Sequence, residues 1–171
     1  MRPYHGRMTA EPGDVARARL RRAMELHAWG DVDGALAEAE AAVAEAPAFG
    51  EAHAYLGNTL VTRKRRFADG LAALDRAVAL LPDDPTVRYT SGWCREFIAN
   101  ELARPRRPHQ AVALDAEALY HAARAELLAA LALEPDEQLQ GDIEDMLDVI
   151  ARATGEPWDE GEYERAAPRP R

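Results

Sequence analysis

Three stretches decide the fold: GDVDGALAEAEAAVAEAP at residues 30–47, RRFADGLAALDRAVALLP at residues 65–82 and ALYHAARAELLAALALEP at residues 118–135. Laid over one another, they agree in spacing. A small residue (Ala35, Gly70, Ala123) is followed four places later by Ala39, Leu74 or Leu127, and three after that by Ala42, Ala77 or Ala130. Five residues further on, each stretch reaches a proline. Steps of four and three stay on one face of an α-helix, and small side chains on that face let a second helix approach closely. Proline then ends the helix, because it lacks the amide hydrogen and its ring clashes with the preceding turn.

Upstream of two of these helices lies another with a glycine in its middle, within Tyr55-Leu56-Gly57-Asn58 and Ser91-Gly92-Trp93; the first unit has Ala23 at the corresponding place. A mid-helix glycine costs about 1 kcal/mol against alanine. Its recurrence implies a partner helix packed too close for a side chain.

This arrangement resembles the tetratricopeptide repeat, a helix-turn-helix unit of about 34 residues with small residues where its two helices cross. The spacing from Pro47 to Pro82 is 35 residues, with the extra one in Arg63-Lys64-Arg65-Arg66, and Pro82 to Pro135 is 53. The resemblance covers residues 14–153: repeats at about 14–47, 48–82 and 85–135, then a capping helix at 136–153. It implies an all-α fold, a right-handed superhelical stack of helix-turn-helix repeats. In the first helix Arg22 stands where that family usually has an apolar residue. Helices are expected at 14–28, 31–46, 48–63, 66–81, 85–103, 109–134 and 136–153, the third unit carrying two lengthened helices joined by Arg104-Pro105-Arg106-Arg107-Pro108. In the last helix Leu139, Ile143, Met146, Leu147 and Ile150 form one stripe, with Asp142, Glu144, Asp145 and Asp148 off it, as a solenoid cap requires. Residues 1–13 and 154–171, rich in proline, glycine and charge, read as mobile tails.

Composition sets outer limits. With 171 residues the chain is long enough for one continuous core, and 36 alanines against one serine favour helix. Charged residues make up 30%, and no apolar run approaches the roughly 18 residues of a membrane helix, so no membrane association is expected. The start, MRPYHGRMTAEPGD, has no apolar stretch behind its basic residues, so no secretory signal is read and a cytoplasmic location is expected. Cys94 is the only cysteine, which excludes an internal disulfide and any multi-thiolate metal site. Alanine and arginine usage hints at a GC-rich bacterial genome. Net charge is -9, split as about +1 through Arg107 and about -10 beyond it. That balance makes nucleic acid an unlikely partner, since duplex binding needs a basic surface.

Two surfaces are candidates for binding. In the resembled family the first helix of each pair lines a concave wall, the usual ligand surface, and on residues 85–103 an aromatic ladder, Tyr89, Trp93 and Phe97, recurs every four residues. Aligning Gly92 with Gly57 puts this ladder beside Tyr55 and Asn58 on that wall. A peptide would then find aromatic anchors and an amide for its backbone. The other packing buries the ladder under residues 109–134 or the last helix. Many relatives in that family clamp acidic chaperone C-termini with lysine, arginine and asparagine. Only Asn58 matches here, because Thr86 and Thr90 stand where charge is required, so that clamp is rejected.

The second surface is a basic rim, where the turns bearing Arg63, Lys64, Arg65 and Arg66 and bearing Arg104, Arg106 and Arg107 line up along one edge. It would suit a phosphate-rich or acidic partner. The plainer reading is solvated cations complementing helix C-termini. The acidic segment at residues 155–164, with Trp158 and Tyr163, has the composition of a ligand for this groove and rim, or of a solubilising tail. Catalysis finds little support: His5, His27, His53, His109 and His121 are scattered, there is no glycine-rich phosphate loop, Ser91 has no neighbouring histidine, and no metal or cofactor is expected. The expected function is therefore a non-enzymatic adaptor that binds a protein or peptide of unknown identity in the concave groove. The alternatives are a homodimeric or larger self-assembling scaffold and an anion or nucleic-acid binder.

Overall fold

Aspartate starts four of the helices. The carboxylates of Asp31, Asp84, Asp115 and Asp136 accept hydrogen bonds from Gly34 N (2.9 Å), Thr86 N (2.8 Å), Ala118 N (2.9 Å) and Leu139 N (2.8 Å). Each satisfies an amide that has no partner within the first turn. The protein, a computed structural model that describes residues 13–159 and 161, contains seven α-helices and no strand among those residues. They are α1 (Asp14–Ala28), α2 (Val32–Glu45), α3 (Gly50–Thr59), α4 (Phe67–Leu80), α5 (Pro85–Ala103), α6 (Ala116–Leu131) and α7 (Glu137–Thr154).

Consecutive helices pack in pairs, α1 with α2, α3 with α4 and α5 with α6, and α7 lies mainly against α6. The repeated small residues are the crossing points. A Cβ on Gly57 would lie 2.7 Å from Leu74 Cγ and 2.8 Å from the Gly70 carbonyl oxygen, and one on Gly92 would lie 2.8 Å from Leu127 Cγ and 3.1 Å from the Ala123 oxygen. In the first pair Ala23, Ala35 and Ala39 are fully buried. The sequence spacing therefore reports helix contact directly.

The helices α4 to α7 share the largest core, which includes Phe67, Leu74, Ile98, Leu119, Leu127, Ile143, Leu147 and Ile150. Smaller clusters join α1 and α2 to α3. The predicted apolar stripe of α7 is confirmed: Ile143, Leu147 and Ile150 are buried and Leu139 and Met146 pack against the same core.

The two places where repeat length departs from 34 dock on each other. The extra residue of the second unit is absorbed by a π turn, Leu60–Lys64, which follows α3 and ends at Arg65 in the left-handed region (φ 55). Arg66 N then donates to Leu60 O at 3.0 Å. The longer insertion is not a lengthened helix over 109–134: residues 104–115 form a loop, and α6 starts at Ala116. Its backbone is spoken for elsewhere. Gln110 N donates to Arg65 O (3.0 Å), Gln110 Oε1 accepts from Asp69 N (3.1 Å), and the Asp115 side chain caps α6, so these groups are not available for helical bonding. The His109 ring stacks on Phe67 with centroids 4.9 Å apart.

Residues 155–159, read as the start of a mobile tail, fold back on α6 and α7. Trp158 packs against the main core and its Nε1 donates to Asp148 at 2.8 Å, while Arg124 donates to the carbonyls of Glu156 (3.0 Å) and Pro157 (2.9 Å). Residues 1–12, and Tyr163 with the rest of the acidic segment apart from residue 161, lie outside the described residues.

Candidate functional site

The groove lies between α1, α3 and α5. Met24, Glu51, Ala54, Tyr55, Asn58, Asp84, Thr86, Val87 and Thr90 line a cavity of about 410 Å³. Tyr55 fixes its floor. Its hydroxyl donates to Ala23 O (3.1 Å) and accepts from His27 Nδ1 (3.1 Å), while His27 Nε2 accepts from Arg63 Nε (3.1 Å). This sequence of donors requires the proton on Nδ1 of His27. Desolvation raises the Tyr55 phenol above its ordinary range, although a hydrogen bond with Thr59 opposes this, so Tyr55 enters the site as a neutral ring. Asn58 makes one long contact, 3.5 Å from Thr62 Oγ1 to its Oδ1, and its amide nitrogen makes no hydrogen bond among the described residues. Thr90 donates to Thr86 O at 2.8 Å.

The aromatic ladder divides. From α5, Thr86, Val87 and Thr90 line the groove, and Tyr89, Trp93 and Phe97 are not among its lining residues. All three ladder residues are partly buried against the main core. Trp93 stacks on Phe97 (5.8 Å between centroids), and Phe97 meets Phe67 edge to face at 6.3 Å. Tyr89 turns towards α7: desolvation raises its phenol pKa, and the charges of Asp142 and Asp145 push it the same way. The structure thus brings Tyr55 and Asn58 together in one groove, while Trp93 packs against the main core. Helical spacing places Glu51 on their face of α3, whereas Met24 and Val87 come from other helices and no spacing reveals them.

Part of the basic rim is engaged in pairs. Arg63 serves His27, Lys64 pairs with Asp33, and Arg66 pairs with Asp69 at 2.8 Å and reaches Glu40 at 3.9 Å. Arg65 is the latch of the insertion. It pairs with Glu101 where both side chains are largely buried, donates to the carbonyls of Pro108 (3.1 Å) and Arg107 (3.3 Å), and stands over the Phe67 ring at 5.1 Å. Arg104, Arg106 and Arg107 remain exposed on the loop. Three of the first four cations are thus paired with carboxylates, and Arg63 is bonded to the His27 ring.

Residues that chemistry might have used are committed to packing. The Ser91 hydroxyl and carbonyl both accept from buried Arg95, which also pairs with Asp75. Among the described residues no three of His, Cys, Asp or Glu gather as metal ligands, and no helix is long and apolar enough to cross a membrane. Cys94 is fully buried, and desolvation pushes its thiol to about 12 despite the neighbouring Arg95 charge. Only the thiolate reacts, so the native chain should resist Ellman's reagent near pH 8 and react stoichiometrically in guanidinium. Rapid native labelling would contradict this burial.

Glu96, half-buried on α5, gives a second check. Burial raises its carboxyl above the ordinary value, so the folded state prefers it protonated. Its favourable contribution is present below the unfolded-state pKa and lost as pH rises through the folded-state pKa. Glu96→Gln is therefore expected to raise the melting temperature near pH 7 and to leave it unchanged below about pH 4. Equal shifts at both pH values would point to packing instead of charge.

Comparisons with protein-family models, with curated proteins and with solved structures return no match.

Proposed function

We propose that this chain is a tetratricopeptide-like stack acting as a non-enzymatic adaptor, which binds an extended or helical peptide segment of another protein in the groove between α1, α3 and α5. One observation carries the reading: the groove combines an apolar floor (Met24, Ala54, Tyr55, Val87) with an Asn58 amide nitrogen that has no internal partner. Apolar side chains of a guest gain affinity by leaving water, and an amide placed among them pairs with backbone groups that would otherwise be desolvated unpaired. The wall comes from the interiors of helices and is held by the Tyr55–His27–Arg63 bonds, so binding costs the protein little ordering entropy. Paired helices with small residues at every crossing support the repeat-like stack.

A displayed library of random peptides selected against the full chain tests the reading. Selected peptides should lose about tenfold in affinity for Asn58→Ala, consistent with an unpaired buried polar group, while that variant melts like the parent. Failure to select any peptide, or peptides indifferent to Asn58→Ala, would overturn it.

A further inference from the structure

We infer that the guest of this groove is a cationic segment, bearing lysine or arginine beside its apolar side chains; the inference rests on the groove being a peptide site. The charge around the groove is one-sided. Its lining holds the carboxylates Glu51 and Asp84 and no lysine, arginine or histidine. Glu51 is exposed and makes no ion pair or hydrogen bond among the described residues, whereas Asp84 spends Oδ1 on Thr86 N and Val87 N.

Most of the nearby cations are already engaged. Lys64, Arg65 and Arg66 are held by Asp33, Glu101 and Asp69, and Arg63 is bonded to His27, itself bonded to Tyr55 of the lining. On α1, Arg17, Arg19 and Arg22 pair with Asp14, Glu38 and Glu25, while Arg21 is exposed and makes no ion pair among the described residues. An acidic guest would meet Glu51 and Asp84 with no cation among the lining residues to offset the repulsion. A cationic guest would meet both, and its aliphatic stems would cover Met24 and Val87. The groove thus inverts the charge preference of a carboxylate clamp.

Three fluorescein-labelled peptides with the same leucine positions, carrying lysine, glutamine or glutamate between them, test this by anisotropy with the full chain. The lysine peptide is expected to bind tightest and to weaken with added salt. Glu51→Gln should weaken it about two- to fivefold and Glu51→Lys further. Equal binding of the lysine and glutamine peptides, with Glu51 variants unchanged and Asn58→Ala still damaging, overturns the charge preference and leaves the groove reading standing. Tighter binding of the glutamate peptide, lost when Arg104, Arg106 and Arg107 are neutralised, overturns both in favour of the loop cations. No binding by any peptide likewise sinks both.

Discussion

Phe67→Ala is expected to cost about 3–5 kcal/mol of unfolding free energy, the range for removing a buried aromatic ring. Phe67 is fully buried at the start of α4 and joins four elements at once. Its ring meets Phe97 of α5 edge to face, stacks on His109 of the loop, and underlies the Arg65 guanidinium. For a chain of this size the loss corresponds to a melting temperature lower by about 6–20 °C. A second readout separates this from simple cavity formation. Without the ring, the loop at 104–115 loses its stacking surface, and the Gln110 amide, bonded to Arg65 O, should exchange hydrogen faster than amides in α6. A loss below about 1 kcal/mol, or an unchanged Gln110 amide, would show that the ring does not hold the two insertions together.

Gly57→Ala and Gly141→Ala should move stability in opposite directions although both sit inside helices. At Gly141 of α7 a Cβ meets nothing within 4 Å, so alanine contributes its better helix propensity and the protein should gain about 0.5–1 kcal/mol. At Gly57 the same methyl falls 2.8 Å from the Gly70 oxygen and 3.1 Å from Leu74 N, both backbone atoms that move only if α3 and α4 separate. Overpacking of about 1–3 kcal/mol then outweighs the gain from propensity. Chemical denaturation of both variants decides the matter. A stabilised Gly57→Ala would mean that the helices do not cross there.

Both outcomes follow from features legible in the chain itself. Gly57, Gly70 and Gly92 stand at fixed offsets from prolines, and a glycine kept inside a helix in spite of its cost marks a close approach. The α7 stripe was legible for the same kind of reason, since burial of one face imposes the helical period on residue choice. The loop at 104–115 was not. Good helix formers at 109–115 favour helix locally, but local propensity amounts to tenths of a kcal/mol per residue. The bonds from Arg65 and Asp69 to Pro108 and Gln110, and the stacking of His109 on Phe67, outweigh it.

The same limit applied to charge. Arg63-Lys64-Arg65-Arg66 reads as a basic rim because a sequence displays charges without their partners, and those partners lie between 3 and 36 positions away in the chain. Tyr55 and Asn58 were identifiable as neighbours, being three residues apart on one helix, but the groove around them exists only because α1 and α5 flank α3.

By itself, the order of residues determined the number of helices, their pairing partners along the chain and the faces they bury, because these depend on period, caps and side-chain volume within about twenty residues. Only tertiary structure decided which cations are neutralised, where the insertions dock and which carboxylates face the groove. Those outcomes turn on distances between segments remote in the chain, and electrostatic and hydrogen-bond energies fall steeply with distance.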